Sequence, residues 1–147
     1  MTHHVNYLDG SPVVRSGGSN AAGFPKVTVF ENVFDATRRP LDGDDTVDVL
    51  TIPAGTYVLK VFVHVEVADV EDAHTFNVGD AADRDGWVAA APLAVARIMG
   101  AGDYAADTGA LVGKFYATAT PLSIEATTAE AMTTARVRVI AFGVSIG

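Results

Sequence analysis

The chain has 147 residues, 49% hydrophobic and 19% charged, with a formal net charge of −8. That is enough apolar material for one core with a radius of gyration of about 15 Å, and it excludes a disordered polypeptide. The Lys and Arg residues are scattered apart from Arg38-Arg39, which excludes the basic stripe that nucleic acid binding needs, and the lack of cysteine excludes disulfides and thiolate zinc sites.

Residues 1–25 stand apart, with Gly, Ser, Asn and Pro at most positions of "GSPVVRSGGSNAAGFP" and no sustained periodicity. They read as an extended N-terminal arm, able to reach about 80 Å when fully stretched. Its apolar points, Val5, Tyr7, Leu8, Val13, Val14 and Phe24, are the expected anchors, either on a neighbouring molecule or on the chain's own domain. The first residues show neither the basic nor the apolar region of a secretion signal, so synthesis in a cytoplasm is expected. The longest apolar-rich run, "YVLKVFVHVEV", carries Lys60, His64 and Glu66 and is too short to span a membrane.

From residue 26 to 147 the hydrophobic period is two, which assigns one β domain. Strands are expected at 26–34, 46–52, 56–67, 74–79, 86–90, 112–118, 121–127 and 134–146, all rich in Val, Ile, Phe, Tyr and Thr. Val47 and Val49 alternating with Asp48 mark a half-buried strand. "IPAG" (52–55) places Pro53 and Gly55 as a tight turn requires, and "LDGDD" (41–45) makes another. Only 91–109, "APLAVARIMGAGDYAADTG", has helix formers, and Gly100 and Gly102 interrupt them, leaving a short helix or a loop. Frequent turns without alternating helices indicate an all-β antiparallel β-sandwich, jelly-roll-like in its most economical version.

Catalytic and metal patterns fail on spacing. Asp80, Asp83 and Asp85 in "FNVGDAADRDGWV" suggest a calcium loop, but counting from Asp80 puts Ala82, Arg84 and Ala91 where positions 3, 5 and 12 need oxygen ligands. The aspartates are read instead as turn residues bonding their own backbone, with Gly79 and Gly86 supplying positive φ. His64 and His74 are expected on a hairpin around "ADVED" that pairs Val65 with Phe76, leaving the imidazoles on opposite faces. "GALVGKF" (109–115) lacks one residue between the glycines of a phosphate-binding loop, and Phe115 stands where its Ser or Thr belongs. No dinucleotide fingerprint or nucleophile elbow occurs, and Glu66, Glu71 and Asp72 cluster at the expected hairpin tip. No catalytic residue, metal site or cofactor is assigned, and the chain is not read as an enzyme.

The order "TVDVLTIPAGTYVLKVFVHVEVA", "FNVGDAADRDGWV", "KFYATATPLSIEATTAEAMTTARVRVIAFGV" resembles small β-rich structural proteins of tailed bacteriophage virions. The resemblance covers roughly residues 45–147 and rests on turns and strands. It implies a capsid decoration (cement) protein on the outer head surface, bound to the major capsid protein as a homo-oligomer, with a trimer favoured. From the scattered basic residues and the short apolar runs, no nucleic acid and no membrane partner is expected. A receptor- or glycan-binding head or tail fibre module is a second reading, with Trp87 or Tyr104 stacking on a sugar, and a tail or connector component a third. Trp87, the single Trp, is otherwise a core or interface anchor.

Overall fold

The computed structural model describes residues 4–6, 13–16, 27–69, 74–94, 96–100, 113–127 and 131–146. Its strands are β1 (His4–Asn6), β2 (Val13–Ser16), β3 (Val27–Asp35), β4 (Thr46–Ile52), β5 (Thr56–Val67), β6 (Thr75–Gly79), β7 (Val88–Pro92), β8 (Ile98–Gly100), β9 (Lys114–Tyr116), β10 (Thr120–Ala126) and β11 (Arg136–Ser145). No helix occurs among the described residues. In the segment left open as helix or loop, Ile98–Gly100 is a strand, and 101–109 lie outside the described residues.

Two sheets form. Sheet A has the order β1-β4-β10-β6-β7, and sheet B the order β2-β3-β11-β5-β8, with β9 also on β5. The chain crosses between them at almost every connection: β3 in B, β4 in A, β5 in B, β6 and β7 in A, β8 and β9 in B, β10 in A, β11 in B. Two sheets interleaved in this way make a jelly roll, as the sequence pattern led one to expect. All pairs are antiparallel except β1 with β4. Two stretches of the N-terminal 25 residues take part: β1 extends sheet A beside β4, and β2 extends sheet B beside β3.

The core lies between the sheets and is built by period-two alternation. On β5, Val58, Val61, Val63 and Val65 point in, and they meet Val137, Val139 and Ala141 of β11 in the same layer. Leu50, Ile52, Phe76, Val78, Leu122 and Ile124 fill the opposing face from sheet A. β4 departs from simple alternation. Only Thr51 is exposed, and Asp48 is buried with its carboxylate accepting from Ser123 Oγ at 2.7 Å.

The expected hairpin between 56–67 and 74–79 does not form. β5 and β6 lie in opposite sheets: Val65 pairs with Val137, and Phe76 pairs with Ala126 and Ala91. Alternation specifies which residues face the core, and a crossover to the other sheet satisfies it as well as a hairpin does. Gly55, with φ +77, takes the left-handed turn position expected of it, whereas in "LDGDD" that position belongs to Asp44, with φ 65.

Candidate functional site

The connection from β6 to β7 is built on Asp80. Its Oδ1 accepts the backbone N–H groups of Ala82 at 2.9 Å and Asp83 at 3.0 Å, closing the bend on itself. Its Oδ2 accepts from Lys114 Nζ at 2.6 Å and from the Tyr116 hydroxyl at 2.9 Å, both on β9 of the other sheet. The Tyr116 oxygen in turn accepts the indole N–H of Trp87 at 2.9 Å. The turn reading of the aspartates therefore holds for Asp80, which also ties the two sheets together. The glycine expectation is corrected. Neither Gly79 nor Gly86 has positive φ; Gly79 is required because a Cβ there would lie 2.0 Å from the Asp83 carbonyl oxygen.

Electrostatics follow from this geometry. Burial opposes the charge on Asp80, but the Lys114 and Tyr116 hydrogen bonds, the Lys114 charge and the Ala82 N–H outweigh it and hold the carboxyl below its usual range. Burial pushes the Tyr116 phenol up, and Asp80 adds to the effect. Asp83 is raised by its hydrogen bond with Asp85, by desolvation and by the Asp85 and Asp80 charges. A carboxylate with four donors is a poor base, and a phenol held protonated is a poor nucleophile, so the cluster acts as a keystone. An open cleft of about 310 Å³ lies over it, lined by Asp80, Lys114, Phe115, Tyr116, Thr118 and Thr120 among others.

The opposite end of the sandwich has its own buried carboxylate. Asp69 Oδ2 accepts the backbone N–H groups of Thr133, Thr134 and Ala135 at 3.0, 3.1 and 3.1 Å, and Oδ1 lies 3.2 Å from His74 Nδ1. Leu93 completes the junction, its carbonyl taking the Asp69 N–H and its N–H reaching the His74 carbonyl. Burial works against the Asp69 charge, yet the three backbone donors and His74 lower its carboxyl below the ordinary range.

The residues singled out from sequence are scattered. Val5 lies in β1 and Val13 and Val14 in β2, while Tyr7, Leu8, Phe24 and Tyr104 lie outside the described residues. Trp87 is 1% exposed, so the interface and sugar-stacking expectations for it are corrected to a core role. Burial of the indole is possible because Tyr116 accepts its N–H. Glu66 is not at a hairpin tip; it pairs with Arg138 at 2.7 Å and Arg136 at 3.3 Å on the outer face of sheet B. Glu71 and Asp72 lie outside the described residues. His64 lies across from Arg138 on that outer face, and His74 is buried beside Asp69. Sequence reading missed Lys114 and Tyr116 as partners of Asp80. Their signal was the i, i+2 spacing of "KFY", which puts both side chains on one face of a strand.

No family model matches the chain, and no curated protein does. Solved structures do. A chain of the cyanophage Pam1 capsid asymmetric unit aligns with a TM-score of 0.65 at 22% identity, over 86% of this chain and 91% of that one. A chain of the capsid of Ralstonia phage GP4 aligns with a TM-score of 0.66 at 15% identity, over 100% and 99%. A chain of the acid-stable capsid of Helicobacter pylori bacteriophage KHP30 aligns with a TM-score of 0.59 at 11% identity, over 90% and 93%. The fold is shared. At these identities the likeness concerns architecture, including the shared length of nearly the whole chain.

Proposed function

We propose that the chain is a bacteriophage virion structural protein, and more specifically a capsid decoration (cement) protein on the outer head surface. The observation that carries this reading is the match of almost the entire jelly roll to chains in three phage capsid structures. The work such a protein does is thermodynamic. It binds across subunits of the major capsid protein, adding contacts that must break before the shell expands or bursts. Several modest contacts made at once act as a strong one, which favours a homo-oligomer, with a trimer preferred. The net charge of −8 suits an exterior position better than one against packaged DNA. No catalysis is assigned to the Asp80 cluster, whose carboxylate is fully engaged in holding loops. The glycan-binding alternative loses Trp87 as a stacking platform.

The test is an image of the assembled particle together with heads lacking this chain. Density on the outer shell, and a higher rupture temperature when purified chain is added back, are the expected results. Density in the tail or connector, or heads equally stable with and without the chain, would overturn the proposal.

A further inference from the structure

The two outer faces of the sandwich differ in chemistry. Sheet A turns Thr75, Asn77 and Glu125 outward, with Asn77 Nδ2 donating to Glu125 Oε1 at 3.0 Å, as expected of a solvated sheet face. Sheet B breaks that rule. Its register aligns Val27, Val144, Tyr57 and Phe115 in one row across β3, β11, β5 and β9. The next row brings Val29 against Phe142, whose ring meets Phe62 edge-on at 5.7 Å. Large exposed apolar side chains follow the same division. Among the described residues, Val27, Leu59, Val67, Ile98 and Phe115 belong to strands of sheet B, and Ile146 directly follows β11. Ile98 is 63% exposed and Phe115 48%.

We infer that the outer face of sheet B is the surface through which copies of this chain pack against one another. Adjacent apolar rows of this kind on an outer sheet face mark an interaction site, and charge argues for the occupant. With a net charge of −8, two copies repel over most of their surfaces. On this face the charges are balanced internally: Arg138 reaches Glu66 at 2.7 Å and Glu31 at 3.7 Å, Arg136 reaches Glu66 and stands opposite Asp35, and Lys60 lies 4.6 Å over the Phe62 ring. Identical acidic copies therefore meet here without the net repulsion they meet elsewhere. Size fits as well. Four strands at about 4.8 Å spacing and the ten residues of β11 at about 3.3 Å each give a face of about 600 Å². Burying it on two copies removes about 1,200 Å² from water, enough for a specific interface. The inference sharpens the homo-oligomer part of the proposed function and rests on that part alone, so it is tested on the purified chain with no capsid present.

The experiment is sedimentation equilibrium of the full chain beside the double variant Phe115→Glu/Ile98→Glu, with Thr51→Glu on sheet A as control. Both altered positions are exposed, so the melting temperature should hold while the dissociation constant rises at least about 100-fold, as loss of two large apolar contacts and the gain of two like charges predict. The control should associate like the parent chain. A second readout avoids dependence on one variant. Because the chain lacks cysteine, Phe115→Cys and Ile98→Cys each carry a single thiol, and a short bis-maleimide should link copies through them but not through Thr51→Cys. A parent chain that stays monomeric at tens of micromolar, or a double variant that associates unchanged, would overturn the inference. So would a double variant that keeps its oligomeric state and loses only shell binding, since that assigns the face to the shell.

Discussion

Asp69 and Asp80 are buried carboxylates at opposite ends of the sandwich, and each joins the end of one strand to elements of the other sheet. Asp69 follows β5 of sheet B and lies against His74 at the entry to β6 of sheet A. Asp80 follows β6 and binds Lys114 and Tyr116 of β9 in sheet B. A jelly roll sends its chain across the core at nearly every connection, so its loops carry backbone donors far from any ladder. A carboxylate accepting several of them at once answers that need.

Removing the Asp80 carboxylate strands its donors. Asp80→Ala should destabilise the chain by about 2–4 kcal/mol, because the buried Tyr116 hydroxyl and the two N–H groups of the half-buried bend lose their carboxylate acceptor. Lys114→Met should cost less, since Asp80 keeps three of its four donors and the ion pair that is removed is 31% exposed at its Lys114 end. Urea unfolding of both variants against the parent checks the order, and equal losses would contradict it.

Acid should weaken the fold through both carboxylates. Asp69 and Asp80 have folded-state values below their unfolded ones, so their contribution is complete above the unfolded value of about 4 and is lost as pH falls through the folded values. Thermal melts should be flat in this respect between pH 7 and about 5 and should fall below about 4. Asp69→Asn and Asp80→Asn should each melt lower at pH 7 and show a shallower acid limb. An unchanged limb in both variants would show that other carboxylates dominate.

Trp87 gives a spectroscopic readout. It is the single Trp, almost fully buried, so its native emission should be blue-shifted and resistant to acrylamide. Trp87→Phe should cost about 1–3 kcal/mol for lost volume and the unmet Tyr116 bond, and Trp87→Ala about 3–5 kcal/mol. Strong quenching of the native chain would place the indole at a surface instead.

Ala90 holds φ 51 on edge strand β7, where the register with β6 slips and Asn77 Oδ1 accepts the Ala90 N–H at 2.8 Å. A Cβ is unfavourable in that conformation, so Ala90→Gly should stabilise the chain by about 0.5 kcal/mol despite greater freedom in the unfolded state. Asn77→Leu should destabilise it by about 1–2 kcal/mol, since the bulge N–H then has no acceptor. Denaturant midpoints of the two variants should move in opposite directions.

Much of the β architecture is legible in the chain itself. The segments 46–52 and 56–67 match β4 and β5 end to end, and Gly55 turns between them as its position in "IPAG" requires, because strand periodicity and turn chemistry are local properties. "GWVAA" (86–90) is displaced by two residues from β7, since Trp87 enters the core as part of the loop before the strand begins.

Sequence alone determined the class of the fold, the turn at Gly55 and the turn role of Asp80 in "FNVGDAADRDGWV". Tertiary structure decided the rest: that β5 pairs with β11 and not β6, that Asp80 reaches across to Lys114 and Tyr116, that Trp87 is interior, and that the apolar outer residues of β3, β5, β9 and β11 line up on one face. The reason is range. Alternation and turn residues report on neighbours a few positions away. Strand partners, by contrast, are set by closing a core among segments as distant as Tyr57 and Val144, and no local pattern specifies which of several compatible segments will meet.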